Sequence, residues 1–206
     1  ARKHKRVVQT GTMQRSGDEF KLAVELVRKG IVGTVKEVNV TLPSPNWIAK
    51  AGKPVPDSAP PDGFDFDRWL GPAPARAYNK NRVHYLFRFF WDYSGGQQTN
   101  FGAHHLDVAQ WGLGMDDSGP VAVEGSAAFH PDGWYETPDT TEIRYTYANG
   151  VTPTCRQKLN TKNPDQGTEF VGDKGKLFVY RGGIVTTPGE LMKGVEVPKF
   201  GGLQAN

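Results

Sequence analysis

Between residues 121 and 180 the chain runs through five short segments, at 121–129, 141–147, 151–159, 168–171 and 176–180. Most of them alternate apolar and polar with a period of two. That period puts every second side chain on one face of an extended backbone, so these segments read as strands and not as helices. Turn sequences link two pairs of them, Ala-Asn-Gly at 148–150 and Asp-Lys-Gly at 173–175, which favours antiparallel hairpins. The N-terminal part reads differently. Residues 6–12 have a short strand pattern, and Ser16 with Glu19 has the spacing of a capping box for the helix that follows. Phe20, Ala23, Val24 and Val27 fall at helical spacing in that helix, and Gly30 ends it. A strand at 34–42 then places Val38, Val40 and Leu42 on one face. Helices followed by hairpin-linked strands predict an α+β fold: an open, largely antiparallel sheet with helices on one face.

Composition narrows the class. A chain of 206 residues is long enough for one substantial core. With 25 Gly and 15 Pro it is loop-rich, yet its aromatic and β-branched content is too high for disorder. Residues 43–80 are dominated by Pro, Gly, Asp and Ala, with a short helix expected at 65–70. A connection of that length in a compact domain often covers a site, and Trp47, Phe64, Phe66, Trp69 and Tyr78 are the side chains that would anchor it. The formal charge is only +3 and is dispersed, and the basic tract from Arg2 to Arg6 reads as a solvated end. A nucleic-acid groove would need a basic stripe, so nucleic acid is not an expected partner. No apolar run reaches the ~18 residues of a membrane span, and no leader pattern opens the chain, leaving the cytoplasm as the default compartment. The single cysteine, Cys155, excludes an intrachain disulfide or a cysteine-based zinc site and reads as a buried strand residue. No period is visible in 186–206.

Polar chemistry concentrates in residues 92–111, where Gly95-Gly96 opens a helix carrying Asn100, His104, His105 and Asp107. Asn100, His104 and Asp107 fall on neighbouring turns of one face, so Asn100 and His104 can reach one point. His104 suits a general acid or base because imidazole titrates near neutrality, and Asn100 could orient a hydroxyl. The competing reading is a satisfied structural histidine. A metal site is a further alternative, drawing on His104, His105 and Asp107 with His84, Asp92 or His130. Adjacent histidines point about 100° apart on a helix, however, and no HExxH motif is present. Gln14 and Arg15 could meet an anionic or hydroxylated ligand, an exposed ion pair for Arg15 being equally open. Trp91, Tyr93, His105 and Asp107 complete the expected substrate pocket. No G-x-G-x-x-G follows a strand, so nothing here binds a dinucleotide phosphate by the usual route.

Several of these segments together resemble one family. They are Val-Val-Gln-Thr-Gly-Thr-Met-Gln-Arg-Ser at 7–16, Trp-Leu-Gly-Pro-Ala-Pro at 69–74 and Asp-Tyr-Ser-Gly-Gly at 92–96. Gly-Ala-His-His-Leu-Asp-Val-Ala-Gln-Trp at 102–111, Phe-Val-Gly-Asp-Lys-Gly at 170–175 and Arg181-Gly-Gly183 complete the set. The chain resembles the C-terminal part of the glucose-fructose oxidoreductase/inositol dehydrogenase/MocA (Gfo/Idh/MocA) oxidoreductases. The resemblance implies an N-terminal Rossmann domain binding NAD or NADP, followed by a dihydrodipicolinate-reductase-like domain with a large open sheet. It implies hydride transfer from sugars, cyclitols or glycosides, with the proton handled by a lysine of a Glu-Lys-Pro motif and a helix histidine. His104 matches that histidine, and Asn100 stands where many members carry Asp. Glu-Lys-Pro is absent, Lys53-Pro54 lying in a different context.

The expectation is therefore that residues 1–16 are the end of a Rossmann domain. Residues 17–206 would be a substrate-binding and oligomerisation domain short of its closing helices. NAD or NADP would belong to the full-length parent, with no cofactor bound by this chain and no activity of the chain alone. The partners implied are a small carbohydrate-like substrate and a second copy, paired through a sheet face whose Val, Ile and Tyr need covering. A sheet-mediated dimerisation module, or part of a sugar lyase or glycoside-cleaving relative, is the alternative.

Overall fold

The computed structural model describes residues 1–43, 45, 54–131, 134–158 and 165–199. Seven strands form one sheet: β1 (Val35–Leu42), β2 (Ala122–Ala128), β3 (Thr140–Thr146), β4 (Pro153–Gln157), β5 (Gly167–Gly172), β6 (Gly175–Tyr180) and β7 (Gly183–Thr187). Their order is β2-β3-β4-β1-β5-β6-β7. Every pairing is antiparallel except β1 with β4, where Val40 lies opposite Cys155. The strand made first thus sits in the centre, flanked by two that follow it by more than a hundred residues. Both turns expected from sequence are present, Gly150 with a φ of +84° and Gly175 with +145°. β7, five residues that end before Pro188, is not among the strands expected from sequence.

Among the described residues four α-helices accompany the sheet: α1 (Asp18–Arg28), α2 (Phe66–Leu70), α3 (Gly96–Thr99) and α4 (Phe101–Gly112). Helices α1 and α4 lie on one face, over Val38, Val40, Leu42, Cys155, Phe170, Leu177 and Val179, each completely buried. From α1 come Phe20, Ala23, Val24 and Val27, the apolar stripe expected from its spacing. Gly30 closes α1 with a φ of +78°: its N–H bonds the Val27 carbonyl (2.9 Å) and the Ile31 N–H bonds that of Leu26 (3.0 Å). That pair is a Schellman motif. At Gly112, α4 approaches the sheet so closely that a β-carbon would overlap the Phe170 ring. Burial pushes the Cys155 thiol up to about 12, in keeping with a core residue.

Two local expectations fail. Residues 6–12 form no strand, and Val7 and Val8 are 99% and 72% exposed, because no described segment pairs with them. The capping box is also absent. Residues Met13–Ser16 make a 3-10 turn, so Gly17 becomes the N-cap, with no side-chain cap bond. Glu19 instead turns inward and accepts the backbone N–H of Gly182 (3.3 Å).

The long connection is held by aromatic packing, as expected. Phe66 stacks on Trp69 (5.7 Å) and meets Tyr78 edge-on (5.3 Å), Trp69 meets Tyr93 edge-on (5.0 Å), and Asp65 caps α2 through the Arg68 N–H (3.0 Å). Trp47 and Lys53 lie outside the described residues. A second small core, Phe89, Phe90 and Tyr135, sits beneath this segment.

The other sheet face bears no described helix, and it is mixed. Arg156 joins Glu142 (3.0 Å) to Asn39 (2.9 Å), which reaches Glu169 (3.2 Å). Toward β7 the face turns apolar, with Phe178 stacked on Tyr180 (5.7 Å) and Val185 half exposed. Ile143, the isoleucine within 121–180, lies opposite the buried Cys155 and so belongs to the helix-covered face instead. No helix among the described residues is long and apolar enough to cross a membrane.

Candidate functional site

Three pieces of chain remote in sequence meet at the N-terminal half of α4: the 3-10 turn at Met13–Ser16, the first turn of α1, and the β6–β7 turn at Arg181-Gly182. Gln14, completely buried, ties them together. Its side-chain amide donates to the carbonyl of His104 (3.0 Å) and accepts from Arg181 Nε (3.2 Å). The Arg181 guanidinium lies over the Phe101 ring at 4.7 Å, and that ring is 6.1 Å from the His105 ring. Gln14, Glu19, Phe101, His104, His105 and Arg181 therefore form one cluster.

The two histidines differ in kind. His104 is half-buried; burial and then the Arg181 charge hold its imidazole below the ordinary value, with Asp107 pulling weakly the other way. It is therefore neutral at pH 7 and able to accept a proton. His105 is only 1% exposed, and neither ring nitrogen has a hydrogen-bond partner among the described residues. Burial, Arg181 and His104 push it down to about 3, so it does not titrate near neutrality. Its carbonyl accepts the Thr168 hydroxyl (3.0 Å), fastening α4 to β5.

The other expected site residues have contacts of their own. Arg15 and Asp107 are together but spend their chemistry on each other: Nε and Nη2 of Arg15 meet the two Asp107 oxygens at 2.8 and 2.7 Å, and Nη2 also meets Asp116 (2.7 Å). Arg15 further covers the Trp111 ring at 5.3 Å. Asn100 is the residue between α3 and α4, with non-helical φ and ψ of −91° each, and its amide donates to Gln97 (3.0 Å). The i, i+4 spacing to His104 thus spans a break in the helix. Gly96, with a φ of +67°, starts the separate turn α3, packed where a β-carbon would strike Thr137.

Trp91 is 54% exposed and lines a groove of about 450 Å³ with Gly95, Thr99, Val123 and Ile143. Tyr93 lines a different cleft, of about 520 Å³, with Trp69, Pro74, Phe87 and Asp92. Arg76 bonds Asp92 (2.7 Å) and Glu136 (2.9 Å) beside it, and Glu136 accepts the Trp91 N–H (2.9 Å).

Sequence reasoning missed Arg181 and the inward role of Glu19. Arg181 had drawn notice only as part of Arg181-Gly-Gly183, and no spacing relates it to a helix eighty residues earlier. Among the described residues no group of three His, Cys, Asp or Glu is placed to hold a metal ion. Helices α1 and α4 begin at Gly17 and Asn100, each after a short helical turn and not after a strand with a glycine-rich loop. Those helix starts do not form a dinucleotide-phosphate cradle.

The sequence model described as "Oxidoreductase family, C-terminal alpha/beta domain" of the Gfo/Idh/MocA group matches residues 19–198. No curated protein sequence matches the chain. Among solved structures, the chain is similar to aldose-aldose oxidoreductase from Caulobacter crescentus complexed with glycerol. The two share 16% identity with a TM-score of 0.56, over 90% of this chain and 45% of that one. GenD2 from gentamicin A biosynthesis in complex with NAD shares 18% identity at a TM-score of 0.55, over 87% of this chain and 41% of its own. Levoglucosan dehydrogenase, in complex with NADH and levoglucosan, shares 15% identity at a TM-score of 0.53, over 88% and 41%. The chain therefore spans less than half the length of these proteins, and the likeness is one of fold.

Proposed function

The chain belongs to the Gfo/Idh/MocA oxidoreductase family, of which it carries the C-terminal α/β domain, and from that premise we propose that it forms the substrate side of an NAD(P)-dependent oxidoreductase acting on a sugar, cyclitol or glycoside. The observation that carries this reading is His104, half-buried and held neutral by burial and by Arg181 in a cluster built from three distant segments. His104 takes the proton of a substrate hydroxyl as the carbon bearing it is oxidised. Gln14 holds the helix at that point through the His104 carbonyl. Asn100, anchored on Gln97, borders the first turn of α4 and can orient a second hydroxyl. NADH and a sugar are bound by levoglucosan dehydrogenase, a structural relative, which supports the reaction class. The hydride acceptor binds through groups other than the described residues, so the chain alone has no dehydrogenase activity.

Two titrations test this. NADH fluorescence should stay unchanged on adding the chain, and tight binding would overturn the division of labour. A panel of sugars, cyclitols and sugar acids, followed by imidazole NMR resonances, should contain ligands that shift His104 and leave His4 and His130 unmoved. A panel with no such ligand sinks the substrate-side reading.

A second reading coexists with the first. The Phe178, Tyr180 and Val185 patch at the β7 end of the uncovered sheet face supports pairing of two copies through that face.

A further inference from the structure

Four arginines that are withdrawn from water in this fold are matched with carboxylates. Arg15 meets Asp107, Arg76 meets Asp92, Arg82 meets Asp57 and Arg156 meets Glu142, all within 3.0 Å. Arg88 has no such partner among the described residues but packs flat on the Tyr85 ring at 3.9 Å. Arg181 also has no ion pair among the described residues, although it is half-buried. Its Nη2 is buried without a hydrogen-bond partner there, and its Nε has only the neutral amide of Gln14. Glu19 is the acid whose charge acts on it, and that carboxylate is engaged with the Gly182 N–H. A guanidinium desolvated to this degree is costly unless an anion completes it. Phe101 below it and Gln14 beside it restrict where it can move.

We propose that Arg181 receives an anionic group of the substrate, a carboxylate or a phosphate, next to His104. The substrate class is thereby narrowed from polyols in general to acidic or phosphorylated sugars. The proposal rests on the reading of the His104 cluster as the substrate side. Burial lowers the Arg181 guanidinium from its ordinary value, with Glu19 offsetting only part of the effect, as expected for a cation awaiting a counter-charge.

Calorimetric titration of the chain with D-glucose, D-glucuronate, D-glucose 6-phosphate and inorganic phosphate tests it. At least one of the two anionic sugars should bind ten or more times tighter than glucose, and which one does identifies the anion. Arg181→Met should erase that preference and Arg181→Lys should keep part of it, both with the thermal midpoint of a folded chain. Equal affinity for glucose and the anionic sugars, or a preference that survives in Arg181→Met, overturns the proposal while leaving the substrate-side reading intact. Inorganic phosphate binding as tightly as glucose 6-phosphate overturns it too, as does Arg181-dependent binding of NADPH, which would assign the anion to the cofactor. If no sugar of any kind binds, the substrate-side reading itself fails.

Discussion

His105 and His104 are consecutive on the same helix and have different fates, His105 being buried beside the Phe101 ring and His104 only half-buried. The buried one has a consequence for stability. His105 titrates near 6.5 in the unfolded chain and at about 3 in the folded one. Below pH 6.5 the unfolded state therefore binds a proton that the folded state refuses. The stability this neutral histidine permits is complete above pH 6.5 and is lost as pH falls toward 3, at up to about 1.4 kcal/mol per pH unit. Urea unfolding of His105→Phe should show a shallower loss between pH 6.5 and 4 than the wild type. At pH 8 the variant should be at least as stable, since it removes two unpartnered polar atoms. Parallel pH curves for the two proteins would refute the assignment. Asp107 gives the reverse lesson at this scale. Its place on the helix is what the residue pattern implied, but the fold hands it to Arg15, where it serves cohesion.

Elements here are fixed by close approach as much as by hydrophobic pattern. Helix α4 can lie on β5 only because residue 112 has no side chain where the Phe170 ring sits. Gly112→Ala should cost about 1–3 kcal/mol by overpacking, measured as a fall in the urea midpoint with an unchanged slope. Gly112→Ala combined with Phe170→Leu should recover part of the loss, and failure to recover would mean the contact is not the cause. The capping box shows what spacing cannot tell. Ser16 and Glu19 have the right separation, yet the backbone before α1 is already turning at Met13–Ser16, and Glu19 gains a better partner in the Gly182 N–H. Gly30, by contrast, needed only local geometry to end α1, and it does so as read.

For the molecule as a whole, one face of the sheet is covered by α1 and α4 and the other bears no described helix. The centre of that second face satisfies itself through Glu142, Arg156, Asn39 and Glu169, so any pairing through it should be driven from the β6–β7 end. Light scattering should find a dimer at micromolar concentration, and Val185→Glu with Phe178→Lys should convert it to a folded monomer. A wild-type chain that is monomeric at every concentration removes the pairing.

Much of this molecule was open to reading from residues alone where the governing contacts are local. The period-two segments, the turns at Gly150 and Gly175, the apolar stripe of α1 and the packing of Phe64, Phe66 and Tyr78 in the long connection depend largely on nearby residues, and these are found. The importance of the His104 helix was equally legible, because polar residues crowd there. What only the tertiary structure decided is which of those polar groups face one another. Gln14 and Arg181 reach His104 from up to ninety residues away, while Asn100, Asp107, Trp91 and Tyr93, close to it in sequence, turn to other partners. The physical reason is that charge and hydrogen-bond pairing depend on distance in space, and a sheet whose central strand is flanked by late ones brings together groups that no spacing along the chain relates.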